Sequence, residues 1–140
     1  MNPDGPNVVV EKMAILSEGR VIKEFDLTGD LSKLKDTPVV LKEGVEFQVQ
    51  VIFRVNLEIV SGLRYHQSDS RKGIVVDKSS FMIGSYGPKI EPYQYLTPTT
   101  EAPKGMIARG HYIAKSSVLD DDRNRCLEWE WSFDIKKDWE

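Results

Sequence analysis

The chain has 140 residues, 40% hydrophobic and 9% aromatic, which is enough for one core and too few for two ordinary domains. With 19 basic and 22 acidic side chains the formal net charge is −3, so no overall field draws the chain to nucleic acid or to an anionic membrane. The lone cysteine, Cys126, excludes an internal disulfide, no apolar run approaches the roughly 20 residues that span a bilayer, and a reducing cytosol is the compartment expected.

In chain order, residues 1–6 are polar and rich in breakers, and they read as a linker stub before a single domain over 7–140. Residues 7–16 and 21–27 read as strands, separated by Gly19, and 30–35 could form one helical turn. After the breaker Lys42-Glu43-Gly44, the sequence alternates. Val45, Phe47, Val49, Val51, Phe53 and Val55 fall on one side, while Glu46, Gln48, Gln50, Arg54 and Asn56 fall on the other, with only Ile52 out of pattern. That period of two predicts a half-buried strand. Strands are also expected over 58–67, 73–83 and 106–118, with turns at Gly84-Ser85-Tyr86-Gly87-Pro88 and Ala102-Pro103-Lys104-Gly105. The clearest strand is the last, with Leu127, Trp129, Trp131, Phe133 and Ile135 on one face and Glu128, Glu130, Ser132 and Asp134 on the other. Seven prolines and ten glycines spread through the chain leave no room for long helices, and the spacing of turns predicts an all-β sandwich.

No catalytic constellation stands out. His66 and His111 belong to no metal-ligand spacing and read as surface or half-buried strand histidines. Cys126 takes the outward parity of its strand and reads as a solvated or edge thiol rather than a nucleophile. Asp120, Asp122 and Asn124 sit at the first, third and fifth places of a would-be calcium loop. Arg125 then occupies the glycine place and Trp131 the glutamate place, so the loop fails. Asp120-Asp121-Asp122 is left as either a solvated acidic turn or a docking patch for a basic partner. Ser116 and Ser117 read as exposed serines open to phosphorylation. The tryptophans of the last strand either fill an ordinary core or line an apolar cavity between splayed sheets, and periodicity does not separate the two.

Several blocks together resemble the Rho GDP-dissociation inhibitor family. They include Asp26-Leu27-Thr28-Gly29-Asp30-Leu31, Leu41-Lys42-Glu43-Gly44-Val45-Glu46, Phe53-Arg54-Val55-Asn56, Ile59-Val60-Ser61-Gly62 and Gly84-Ser85-Tyr86-Gly87-Pro88. Glu101-Ala102-Pro103-Lys104-Gly105-Met106, Ala108-Arg109-Gly110, Asp120-Asp121-Asp122, Trp129-Glu130-Trp131 and Ile135-Lys136-Lys137-Asp138-Trp139 follow in the family's order. The likeness runs over 7–139.

The resemblance implies an immunoglobulin-like β-sandwich with an apolar prenyl pocket between its sheets, no enzymatic activity and no cofactor or metal. Its implied role is to bind the geranylgeranyl group of Rho-family GTPases, Rho and Rac among them, to extract them from membranes and to hold them in the cytoplasm as a monomer. By position, the pocket would be lined by Ile15, Val39, Phe47, Ile59, Ile107, Ala114, Trp129 and Trp131, and the GTPase would dock on Asp120, Asp121 and Asp122. Val39 and Ala114 stand where phenylalanine and isoleucine can occur in the family, which would enlarge the cavity. The family's nucleotide-blocking N-terminal arm is expected to be absent, since the chain begins at the stub.

Overall fold

A computed structural model describes residues 6–122 and 124–139. Among these residues, ten strands build two five-stranded sheets. In the first sheet, β2 (Arg20–Asp26), β1 (Val8–Ser17), β4 (Glu46–Val55) and β7 (Tyr93–Leu96) follow one another, and the two-residue β8 (Thr100–Glu101) also pairs with β4. In the second, the order is β3 (Val39–Lys42), β10 (Arg125–Lys136), β9 (Gly110–Leu119), β5 (Val60–Arg71) and β6 (Ile74–Tyr86). All pairings are antiparallel except β3 with β10. The all-β sandwich expected from the turn spacing is therefore found, and it is consistent with an immunoglobulin-like fold.

The two strands with the cleanest alternation behave as their parity requires. On β4, Val49, Val51, Phe53 and Val55 are buried, and on β10 so are Trp129, Trp131, Phe133 and Ile135. Ser132, on the opposite face of β10, is also fully buried, because a 3-10 turn at Leu34–Asp36 covers it and its hydroxyl donates to the Lys35 carbonyl at 2.7 Å. On β1 the phase slips. A bulge against β4 between Val10 and Lys12 moves the inward face from Val8 and Val10 to Met13 and Ile15. Both hairpins with two-residue loops place their turn residues at positive φ, Glu18 and Gly19 between β1 and β2, and Lys72 and Gly73 between β5 and β6.

Four expectations need correction. The strand expected over 106–118 begins only at Gly110, because Met106–Ala108 forms a second 3-10 turn. Gly84, Ser85 and Tyr86 belong to the end of β6, so the chain leaves the sheet at Gly87 rather than turning at Gly84. Ser116 is fully buried among side-chain hydrogen bonds and is not a surface serine. Cys126 sits in a bulge of β10 against β9, which breaks the outward parity; it packs half-buried against the core, and burial pushes its thiol up to about 11. That places it further from nucleophilic chemistry.

Candidate functional site

Between the sheets, toward the start of β4 and the end of β5, lies a cavity of about 370 Å³. Phe47 and Val49 of β4 form one wall, and Tyr65 of β5, Tyr112 of β9, Phe133 of β10 and Leu41 of β3 form the other. The space persists because β4 loses its regular neighbour there. β7 pairs with β4 only from Gln50 to Phe53, and beyond that point the wall is β8 and the irregular chain around it. Thr97 anchors that chain. Its amide donates to the Val49 carbonyl at 2.9 Å and its hydroxyl accepts from the Val49 amide at 2.9 Å. The Ala102 amide donates to the Val45 carbonyl at 2.7 Å, and Pro103 closes the rim.

The rim is acidic. Asp69, Asp77 and Glu101 all border the cavity, and among the described residues no lysine or arginine lines it. Asp69 is half-buried, and burial, opposed by a hydrogen bond from Gln67 and reinforced by Asp77, raises its carboxyl to about 6. Beside the rim, Arg109 grips Glu43 through two hydrogen bonds, from Nε at 2.7 Å and from Nη2 at 2.9 Å. This fork pins the exposed turn at Met106–Ala108 to the loop before β4 and holds the Glu43 carboxyl below its ordinary range.

Of the eight positions expected to line a pocket, the structure sets Phe47 alone in the wall of this cavity. Ile15, Val39, Ala114, Trp129 and Trp131 lie in closed core behind it, each at most 2% exposed. Trp131 sits 5.6 Å from Phe133 and Trp129 6.3 Å from Tyr65 by ring centroid, so both tryptophans back onto cavity residues. Trp131 Nε1 donates to Ser116 Oγ at 2.9 Å, whereas Trp129 Nε1 is buried and finds no hydrogen-bond partner among the described residues. Ile59 is 71% exposed and Ile107 90% exposed, and neither borders the cavity. Val49 and Phe133 could have been found from the alternation alone, since they share the inward faces of Phe47 and Trp131. Tyr65, Asp69 and Tyr112 lie on strands whose weaker patterns gave no such signal.

Ile59 instead borders a second hollow, of about 440 Å³, together with Asp120, Asp121 and Asp122. Here the acidic run forms a tight turn. Asp120 is occupied in holding it: one carboxylate oxygen accepts from the amides of Asp122 and Asn124, both at 2.9 Å. Asp121 is tied to β5 by its amide, which donates to the Ser61 carbonyl at 3.0 Å, and its carboxylate lies against Gly62. Among the described residues neither Asp121 nor Asp122 is in an ion pair, and both are exposed.

Among the described residues no group of three or more His, Cys, Asp and Glu is placed to hold a metal ion, and no helix is long and apolar enough to cross a membrane. The family model described as RHO protein GDP dissociation inhibitor matches residues 1–138. Rho GDP-dissociation inhibitor 1 of Homo sapiens is 52% identical over 139 residues, covering 99% of this chain and 68% of the relative. Rho GDP-dissociation inhibitor 3 of Mus musculus is 47% identical over 142 residues, covering 99% of this chain and 62% of the relative. A sandwich with an intersheet cavity, matched over almost its whole length by these relatives, belongs to the Rho GDP-dissociation inhibitor family.

Proposed function

We propose that this chain binds the geranylgeranyl group of Rho-family GTPases between its sheets, draws those GTPases off membranes and holds them in the cytosol, acting by stoichiometric binding rather than catalysis. The observation that carries this reading is the cavity walled by Phe47, Val49, Tyr65, Tyr112 and Phe133 in a member of this family. Its volume falls in the range of ligand pockets that bury most of a small guest. Trp129 and Trp131, with Ile15, Val39 and Ala114, form the floor that a long guest would reach as the wall residues move aside. Ile59 and Ile107 would meet only parts of the ligand complex that lie outside the cavity.

Taking a chain of roughly 20 carbons out of water, at about 0.8 kcal/mol per methylene, is worth on the order of 15 kcal/mol, and a bilayer offers nearly the same. Lipid burial alone therefore leaves extraction near balance. Protein contacts must add the difference, and the exposed carboxylates of Asp121 and Asp122 suit a basic surface on the GTPase.

The test is a titration with a geranylgeranylated peptide from a Rho GTPase C-terminus against the same peptide without lipid, followed by tryptophan fluorescence. Saturation with the lipidated peptide alone is expected. Phe47→Asp should abolish it while leaving the fold intact, because Phe47 lies in a cavity wall and not in closed core. Asp121→Asn with Asp122→Asn should leave peptide binding unchanged and weaken docking of the whole prenylated GTPase several-fold at low salt. Equal behaviour of the two variants toward the peptide would refute this division.

A further inference from the structure

Asp69 is a half-buried carboxyl on the rim of the cavity, and it terminates a hydrogen-bonded chain that can run in only one direction. Trp131 Nε1, which can only donate, donates to Ser116 Oγ at 2.9 Å. The Tyr65 hydroxyl donates to Gln67 Oε1 at 2.7 Å. The 2.8 Å contact between Ser116 and Tyr65 is therefore the serine O–H donating to the phenol oxygen. Gln67 Nε2 then donates to Asp69 Oδ1 at 2.9 Å. Each donor from the buried indole outward points toward the cavity, and Asp69 is the terminal acceptor. Its second oxygen is not engaged in this chain.

Among the described residues, the groups facing Asp69 give it no counter-charge. Asp77 stands directly opposite on β6. From β9 it meets Ala114, its partner in register, with Tyr112 beyond. Across the cavity, β4 supplies Phe47 and Val49 and β8 supplies Glu101, while Phe133 of β10 lies on the same wall as Asp69. Arg71, two residues along β5, donates to the carbonyls of Ile107 and Arg109 and lies over the Tyr112 ring, and Lys104 pairs with Glu101 at 3.2 Å. The carboxyl already sits near 6 with the cavity open to water.

We propose that Asp69 couples guest binding to a proton: an uncharged hydrocarbon binds most tightly when Asp69 takes up a proton from solvent on its outer oxygen. The inference rests on the lipid-cavity reading above. Filling the space with hydrocarbon removes the water that solvates the carboxylate and leaves Asp77 opposite it on β6, so the charged form is disfavoured further. Guest binding and proton binding then favour one another. Affinity is greatest below about pH 6 and falls by about tenfold per pH unit above it, until the guest-bound carboxyl itself ionises.

Proton uptake is read directly by calorimetric titration of the geranylgeranylated peptide at one pH near neutrality, in phosphate and in Tris, whose ionisation heats differ. The expected result is close to one proton taken up per guest. Asp69→Asn keeps an acceptor for Gln67 Nε2 and should fold, take up almost none, and bind with an affinity that is flat in pH. Asp77→Asn should retain the uptake. Carboxyl carbon shifts of the unmutated protein supply a check free of any variant, since the Asp69 titration should move upward when the guest binds. Saturable, lipid-dependent binding with no proton uptake overturns the role of Asp69 and leaves the lipid cavity standing. Uptake that survives Asp69→Asn and vanishes in Asp77→Asn also overturns it. No lipid-dependent heat from any protein overturns the cavity reading and this inference together.

Discussion

Phe53 and Phe47 lie on the same face of the same strand, and the two ends of the sandwich have treated them oppositely. Phe53 is fully buried, with Tyr86 at 5.2 Å and Tyr93 at 5.5 Å by ring centroid, and those tyrosines are 4.6 Å from each other. Phe47 is half-buried against empty space. The end holding Phe53 is closed by packed aromatics and capped by the acidic turn; the end holding Phe47 has one sheet edge replaced by irregular chain. Ser61, which anchors the acidic turn, and Asp69, which borders the cavity, are separated by about 26 Å along β5 at about 3.3 Å per residue. A lipid guest and a protein surface could thus be held by opposite ends of one rigid body, so a partner that uses both must span the domain.

The largest expected effect breaks this comparison if it is wrong. Phe53→Ala should cost about 3–5 kcal/mol, because it removes a ring from a packed cluster and leaves a void. Phe47→Ala should cost about 1 kcal/mol or less, because one side of that ring already lacks neighbours. Urea unfolding of both variants measures the difference. Equal losses would mean that the Phe47 end is packed as tightly as the other and that no standing cavity exists.

How legible these features are in the sequence follows the same division. β4 and β10 are plain because their inward alternation runs across ten or so residues, with only Ile52 out of pattern on the outer side of β4, long enough for period two to dominate every other signal. The inward faces of Phe53 and Trp131 follow from it. β1 is weaker because its bulge shifts the phase midway, and β7 and β8 are too short to show any period. Met106, Ile107 and Ala108 read as strand by composition, yet Gly105 before them takes a φ of 101° and the Arg109 to Glu43 fork behind them holds a 3-10 turn. The cavity itself has no signature in any one strand. It depends on where β7 stops pairing and on the chain that replaces it, and these are relations between segments distant in sequence. Parity therefore says that Phe47 and Phe53 face inward and is silent on what each faces.

A smaller effect sharpens the account of the capped end. Gly62 has a φ of 61°, where only glycine sits without strain, and a Cβ built there would lie 1.9 Å from Asp121 Oδ1. Gly62→Ala should cost about 1–2 kcal/mol from the backbone alone and should also drive the Asp121 carboxylate from its seat. A double-mutant cycle separates the parts. In an Asp121→Ala background the steric share should vanish and the backbone share remain. If Gly62→Ala costs the same in both backgrounds, the carboxylate does not rest on Gly62, and the acidic turn is tied to β5 by the Asp121 amide bond to Ser61 without it.

The smallest effect concerns the open end and is a matter of pH. Glu43 is held below its ordinary value near 4.5, chiefly by hydrogen bonds from Arg109 and against the opposing effect of desolvation. The folded carboxyl then ionises more readily than the unfolded one, so its contribution is complete above about pH 4.5 and is lost as pH falls through the folded value. Asp69 works in the other direction. Its folded carboxyl is raised to about 6, so it contributes a loss of stability that grows as pH rises from the ordinary 3.8 toward 6 and is constant beyond. Because the fork is partly exposed, the Glu43 effect on global unfolding should be slight. Its clearer trace is local. Hydrogen exchange at Met106, Ile107 and Ala108 should quicken below pH 4.5 more than the general acid and base chemistry of exchange allows, and Glu43→Gln should show that faster exchange already at pH 6. Exchange in these three residues that is indifferent to Glu43→Gln would show that the turn is held by its own chain and by Arg71, which also bonds the Ile107 carbonyl, so that the fork plays no part in shaping the rim.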